Sequence, residues 1–223
     1  MSINAKQQIK CPDCGQLEEM TVWQSITAND SPDLKDDLLK GKINIFRCPS
    51  CGQTALVPVP VLYTDRERNL IISFSPCSEA EEKQRIFEGI RTASKESGEL
   101  AEFEGCNLRF VSAYNDFLEK ILIFDNGLHD KAVEVLKLFV LMQDSEKMER
   151  RVCIFGKKEN DSIEFMVQDK EEGRLYTSCV PMETYNTIYE QLSKSGVKYK
   201  SFDWEIIDGE YAAKLLRGAN NTL

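Results

Sequence analysis

One histidine in 223 residues excludes every metal or catalytic centre built from several imidazoles. No Gly-x-x-x-x-Gly-Lys-Ser/Thr and no Gly-x-Gly-x-x-Gly occurs, so the glycine-rich loops that cradle phosphates are missing. His129 is accompanied by no Gly-x-Ser-x-Gly elbow, which leaves a Ser-His-Asp triad without its strained nucleophile turn. No run of about 18 apolar residues is present, which argues against a membrane-spanning helix. The first residues, Met1-Ser2-Ile3-Asn4-Ala5-Lys6-Gln7-Gln8, lack the basic and apolar regions of a secretory signal. Positive charge is short as well: 28 Lys and Arg face 37 Asp and Glu, for a net charge of −9. A protein that neutralises a phosphate backbone needs a basic face, so nucleic acid is the less favoured partner. These absences together predict a cytoplasmic protein whose cysteines stay reduced.

What the chain does have is eight cysteines, four of them in two copies of one pattern, Cys11-Pro12-Asp13-Cys14-Gly15 and Cys48-Pro49-Ser50-Cys51-Gly52. Two intervening residues let one tight turn aim both sulfurs at a common point, and the following glycine supplies the backbone freedom to reverse direction. Tetrahedral Zn²⁺ takes four such ligands at about 2.3 Å from each sulfur. Cys11, Cys14, Cys48 and Cys51 are therefore read as two knuckles around one structural Zn²⁺. Free or redox-active dithiols are the competing reading. A redox Cys-x-x-Cys sits at the start of a helix whose dipole lowers the thiol pKa, whereas here glycine follows at once. Four thiolates also close the shell, while catalytic zinc keeps a position open for water.

Between the knuckles lie 33 residues, more than the roughly 15–20 of a simple ribbon. A strand and a helix inserted between the knuckles account for the excess, with two separate half-sites as the alternative. The pattern Met20-Thr21-Val22-Trp23-Gln24-Ser25-Ile26-Thr27 alternates as a strand does, and Ile43-Asn44-Ile45-Phe46-Arg47 leads into the second knuckle. Ser31-Pro32-Asp33-Leu34 opens a short helix that Gly41 closes. Thr54 to Tyr63 and Asn69 to Ser75 read as further strands.

From Ser78 the pattern changes. Ser78-x-x-Glu81 has the form of a capping box for a helix from about Glu79 to Ser97, ending near Gly98. A strand at Leu108 to Val111 follows. Tyr114, Phe117, Leu118, Ile121 and Leu122 then fall at helical spacing, as do Leu128, Ala132, Val135, Leu136 and Phe139, with Asn126-Gly127 as the turn between two helices. Arg151 to Phe155, Ser162 to Gln168 and Arg174 to Val180 read as an antiparallel meander, followed by a helix from Met182 to Ser195, a strand from Tyr199 to Trp204 and a terminal helix near Tyr211 to Arg217. The predicted fold class is α+β. A β-rich zinc ribbon with an inserted helix spans residues 1–76, and a mixed helical and antiparallel-sheet region spans residues 77–223, packed on the first. The first of these segments is nearly neutral, with 8 basic against 9 acidic residues, and the second carries the remaining excess of acid.

The paired Cys-Pro-x-Cys-Gly knuckles, with Trp23-Gln24-Ser25-Ile26, Gly41-Lys42-Ile43-Asn44, Phe46-Arg47-Cys48-Pro49 and Leu62-Tyr63-Thr64-Asp65 around them, resemble the CpXC family of prokaryotic proteins. The resemblance covers residues 9 to 76 and continues through Glu119-Lys120-Ile121-Leu122-Ile123-Phe124-Asp125 to Gly127-Leu128. It implies a zinc-binding domain with Cys11, Cys14, Cys48 and Cys51 as ligands, and it implies no catalytic residue.

The other cysteines carry less. Cys153 and Cys179 lie in apolar strand patterns and are expected to be buried packing residues. Cys77 precedes a helix start, where a lowered pKa would make it a nucleophile, and Cys106 carries no signal either way. His129, in Asp125-Asn126-Gly127-Leu128-His129-Asp130, is read as part of a helix-to-helix turn rather than as a polar site. The leading function is a zinc-stabilised module that binds or regulates a protein partner. Its rivals are a nucleic-acid surface made by Lys6, Lys10, Lys35, Lys40, Lys42, Arg47, Arg66 and Arg68 on one face, and an enzyme whose site lies between the two halves and uses Asp125, His129 or Cys77.

Overall fold

Alternating residues make the N-terminal strands, and prolines decide how they are divided. A computed structural model describes residues 1–220. In it, β1 (Ile3–Lys10) and β2 (Leu17–Thr27) form a long antiparallel hairpin. The helix α1 (Pro32–Leu39) follows with proline in its first turn, and β3 (Ile45–Arg47) and β4 (Thr54–Leu56) make a second, shorter hairpin. The expected single element from Thr54 to Tyr63 is two strands. Pro58 and Pro60 have no N–H to give a ladder, so the chain leaves the small sheet after Leu56 and enters the large one as β5 (Val61–Asp65).

Then come β6 (Leu70–Phe74), the helices α2 (Ala80–Ser97) and α3 (Glu99–Glu102), and β7 (Asn107–Val111). The large sheet has the order β1-β2-β5-β6-β7, with β2 parallel to β5 and β6 parallel to β7. Every residue of β7 is buried, the continuous run expected of a parallel strand covered on both faces. Phe74 stacks on Phe117 with ring centroids 5.2 Å apart.

The chain separates into two compact units, one of Met1–Leu118 with Phe202–Glu205 and one of Glu119–Ser201 with Ile206–Leu223. The division therefore falls inside α4 (Tyr114–Asp125), and residues 77–118 group with the N-terminal strands rather than with the C-terminal region. The expected strand from Tyr199 to Trp204 is not regular. Glu205, just past it, instead bridges β7, where the Phe110 N–H donates to Glu205 O at 3.0 Å and the Glu205 N–H to Leu108 O at 3.1 Å. In the same unit Arg91 forks onto Asp203 at 3.0 and 2.7 Å, and Trp204 Nε1 donates to Ser94 Oγ at 3.0 Å.

In the second unit α5 (Asp130–Met142) and a 3₁₀ turn (Ser145–Arg150) lead to the antiparallel sheet β8 (Arg151–Lys158), β9 (Ser162–Asp169) and β10 (Leu175–Pro181), in the order β10-β9-β8. The helices α6 (Met182–Lys194) and α7 (Gly209–Asn220) complete it. Cys153, Phe155, Ile163, Phe165, Val167 and Val180 make the buried face of this sheet. The architecture is the α+β one expected, and no helix among the described residues is long and apolar enough to cross a membrane.

Three local expectations need correction, and one strand was not anticipated. Ser78 does not cap α2: its N-cap is Glu79, which makes no side-chain cap bond. Strand β1 is too polar to stand out from the sequence, because only alternate residues are half covered. Cys179 is exposed, because β10 is an edge strand and its residue alternates with the buried Val180. Phe139, placed on the apolar stripe by spacing, is 40% exposed, while Leu136 beside it is 1% exposed. Leu136→Ala should accordingly cost about 2–5 kcal/mol in urea unfolding, and Phe139→Ala should cost clearly less.

Candidate metal centre

Each knuckle is a hairpin turn, the first joining β1 to β2 and the second joining β3 to β4. The two turns match bond for bond. Cys11 N–H donates to Gln16 O at 2.8 Å and Cys48 N–H to Gln53 O at 2.8 Å, while Gly15 N–H returns to Cys11 O at 3.1 Å and Gly52 N–H to Cys48 O at 2.9 Å. Gly15 and Gly52 hold φ of 75° and 76°, a left-handed backbone that a Cβ would strain.

Across the two turns, Cys11 Sγ lies 3.6 Å from Cys51 Sγ and Cys14 Sγ 3.6 Å from Cys48 Sγ. All four sulfurs fall within 4.8 Å of one another. A tetrahedron with sulfurs at about 2.3 Å from its centre has edges of about 3.8 Å, so the donor set fits a four-coordinate metal. A disulfide would need sulfurs about 2.05 Å apart, and all four are free thiols. Neither pair opens a helix, so the arrangement that activates a redox dithiol is absent here.

The cluster is held from one side. Cys11 and Cys48 are buried in a small core with Val22, Phe46 and Val57, whereas Cys14 and Cys51 face water. The N–H of Cys14, with that of Asp13, lowers the Cys11 thiol to about 7. Cys51 accepts the N–H of Gln53, yet desolvation and the three neighbouring sulfurs push it up to about 12. Four sulfurs this close cannot all ionise without a cation among them, while the turn N–H groups are already aimed at the negative charge. Among the described residues no other set of three or more His, Cys, Asp or Glu side chains is placed to share an ion.

The remaining candidates are structural in their surroundings. Cys77, in the first unit, has its pKa raised by burial and by Glu82, the opposite of what a nucleophile requires. Burial also raises Cys106 against the pull of Arg66, and pushes Cys153 up to about 12. His129, in the second unit, caps α5: its Nδ1 accepts from Lys131 N at 3.3 Å, its Nε2 meets Tyr199 O at 2.8 Å, and its own N–H donates to Tyr185 Oη at 2.9 Å. Asp125 ends α4, half-buried.

Sequence reasoning missed a buried network of charges in the second unit. Lys120 Nζ reaches Glu134 at 2.8 Å and Asp130 at 3.5 Å. Lys137 Nζ reaches Glu119 at 2.9 Å and Glu134 at 3.2 Å. Glu119 Oε1 also accepts the Phe155 N–H at 2.6 Å, which ties α4 to the sheet. Burial raises the Glu119 pKa, and the burial penalty on Lys120 and Lys137 is outweighed by the facing carboxylates. A signal existed: Lys131, Glu134 and Lys137 stand three apart on a helix whose other residues are nearly all apolar, which places charge on a line that has to be covered.

Two matched knuckles converging on one four-thiol cluster define the class, a Cys₄ protein on an α+β fold with sulfurs arranged compatibly with a bound metal. The chain belongs to the CpXC family, whose model, described as CpXC protein, matches residues 9–137. The match takes in both knuckles and runs on through α4 into α5. No curated protein and no solved structure matches the chain.

Removing one member of the buried network should be costly, because the partners stay charged and buried. Lys120→Met is expected to lose about 3–5 kcal/mol, and His129→Ala about 0.5–2 kcal/mol through loss of its cap, both read from denaturant unfolding of the full chain.

Proposed function

We propose that Cys11, Cys14, Cys48 and Cys51 hold one structural Zn²⁺, and that the chain serves in the cytoplasm as a zinc-stabilised module that binds or regulates another protein. The observation that carries the proposal is the cluster itself, four sulfurs within 4.8 Å. Soft thiolates favour zinc over the hard cations that carboxylates select. The ion would supply the cross-link between two hairpins far apart in sequence, and four thiolates would leave it no open position for water. What the chain contributes is the pair of turns, the N–H groups that stabilise negative sulfur, and the apolar backing around Cys11 and Cys48. Three further thiols with raised pKa and a histidine already engaged in capping support a role without chemistry of its own.

Metal analysis of the purified chain should find about one Zn²⁺ per molecule, and Cys11→Ser/Cys48→Ser should abolish it. Because the ligands must be deprotonated, acid should release the ion, with loss of the first unit's structure as thiolates take up protons. A chain that keeps its zinc in the double variant, or stays fully folded after chelation, overturns the shared structural site.

The charge pattern supports a protein partner over nucleic acid. Of the cations that a basic stripe would need, Lys6 pairs with Glu19 at 2.7 Å, Lys35 with Asp65 at 2.8 Å, Lys42 with Asp37 at 2.8 Å, and Lys40 with Asp36. Pairs of this kind cancel the positive field that releases counterions from a phosphate backbone. Fluorescence anisotropy against mixed-sequence duplex and single strands should show no salt-sensitive binding at physiological ionic strength. Micromolar binding that weakens steeply with salt and disappears in Lys40→Glu/Lys42→Glu would reverse the assignment.

A further inference from the structure

Strand β10 is the edge of the second unit's sheet, bonded to β9 on one side only. Its bonding phase is set by two contacts at its ends: Asp169 N–H donates to Arg174 O at 2.9 Å, and Met182 N–H donates to Asp161 O at 2.9 Å. With Leu175 opposite Gln168 and Val180 opposite Ile163, the antiparallel alternation turns the backbone groups of Tyr176, Ser178 and Val180 toward β9. The N–H and C=O groups of Leu175, Thr177 and Cys179 therefore point outward. Pro181, which has no N–H, closes the row where an outward donor would otherwise come next.

Exposed sheet edges are normally guarded by charge, bulges or cover. The other edges of the two larger sheets obey that rule. Strand β1 carries Lys6 and Lys10 and a bulge at Ile3/Asn4. Strand β8 carries Arg151, Lys157 and Lys158 and a bulge at Phe155/Lys157, and β7 is bridged by Glu205. From Leu175 to Pro181, Leu-Tyr-Thr-Ser-Cys-Val-Pro, there is neither a charge nor a bulge. Leu175 is 65% exposed, and Tyr176, Thr177 and Cys179 are exposed with it.

We propose that β10 is a self-association edge, and that two copies of this chain pair antiparallel through it about a twofold axis at Thr177. That register sets Thr177 opposite Thr177, and Leu175 opposite Cys179 in both directions. Each outward N–H of one copy then meets an outward carbonyl of the other, and the two sheets become one. On the face away from the buried Ile163, Phe165 and Val167 the side chains that meet are a Thr–Thr pair flanked by Leu–Cys pairs, and on the other face Tyr176 comes opposite Ser178, all uncharged cross-strand contacts that add to an antiparallel ladder. The occupant is a second copy because the outward backbone groups of Leu175, Thr177 and Cys179 complement themselves when turned about Thr177, and the strand carries no charge that would repel an identical one.

The test is the mass of the full chain in reducing buffer, by size exclusion with light scattering over a concentration series, for the wild type, Thr177→Lys and Thr177→Pro. The wild type should reach twice the 25.5 kDa chain mass. Thr177→Lys places two like charges face to face without touching the backbone, and should weaken the dimer at least tenfold. Thr177→Pro removes an outward N–H and fixes φ on the edge strand, and should do the same wherever circular dichroism shows it folded. A wild type that stays monomeric overturns the proposal and leaves the edge to an extended segment of another protein. An assembly that survives Thr177→Lys places the interface elsewhere and overturns it too.

Discussion

Four cysteine sulfurs drawn within 4.8 Å of one another are the constraint on which the first unit depends. Thiolates at that spacing repel, and the core behind them is small: Val22, Phe46 and Val57 with Cys11 and Cys48, flanked by Ile9, Met20 and Val59. A cation at the centre would turn the repulsion into a cross-link. The proposed zinc ion would therefore join the two hairpins to each other, and the matched N–H bonds of the two turns prepare the sulfurs for it.

The second unit meets a related problem with its own charges. Lys120, Lys137, Glu119, Glu134 and Asp130 lie where an apolar core would be expected, and they are tolerable because each cation faces carboxylates at hydrogen-bond distance. Such a network adds little net stability compared with hydrophobic packing, but it is costly to break. It also fixes the relation of α4, α5 and β8, since Glu119 bonds both Lys137 and the backbone of Phe155. The family match ends at residue 137, so it includes all of these charged positions together with the four cysteines.

The edges of the sheets show how the fold treats exposed backbone. Lysines and bulges guard β1 and β8, and a returning segment bridges β7, while β10 is left open and uncharged. The pairing of Lys6, Lys35, Lys40 and Lys42 with carboxylates supports the proposal that this acidic chain does not bind polyanions. Its exposed neutral strand is instead suited to short-range backbone pairing.

Much of this was legible along the chain. The Cys-Pro-x-Cys-Gly pattern names four sulfurs and the turns that carry them, because a two-residue spacing and a left-handed glycine are local properties. Helical and alternating periodicity likewise places α2, α4, α5, α6 and the meander β8-β9-β10, since each element has one face to cover. Features that arise from pairing between distant residues were not legible. The meeting of the two knuckles is the exception, expected from their matching pattern and found in the structure, but the sequence does not say that Pro58 and Pro60 pass the chain from one sheet to another, or that residues 202–205 return to β7. It also does not say that Glu119 and Lys137 are buried together, or that Cys179 lies on an open edge while Cys153 lies inside. A residue's own chemistry decides which local conformations and ligands it can support. Only the tertiary structure decides which distant groups share a dry, low-dielectric space or face water, and the charges, thiols and strand edges of this protein take their roles from that placement.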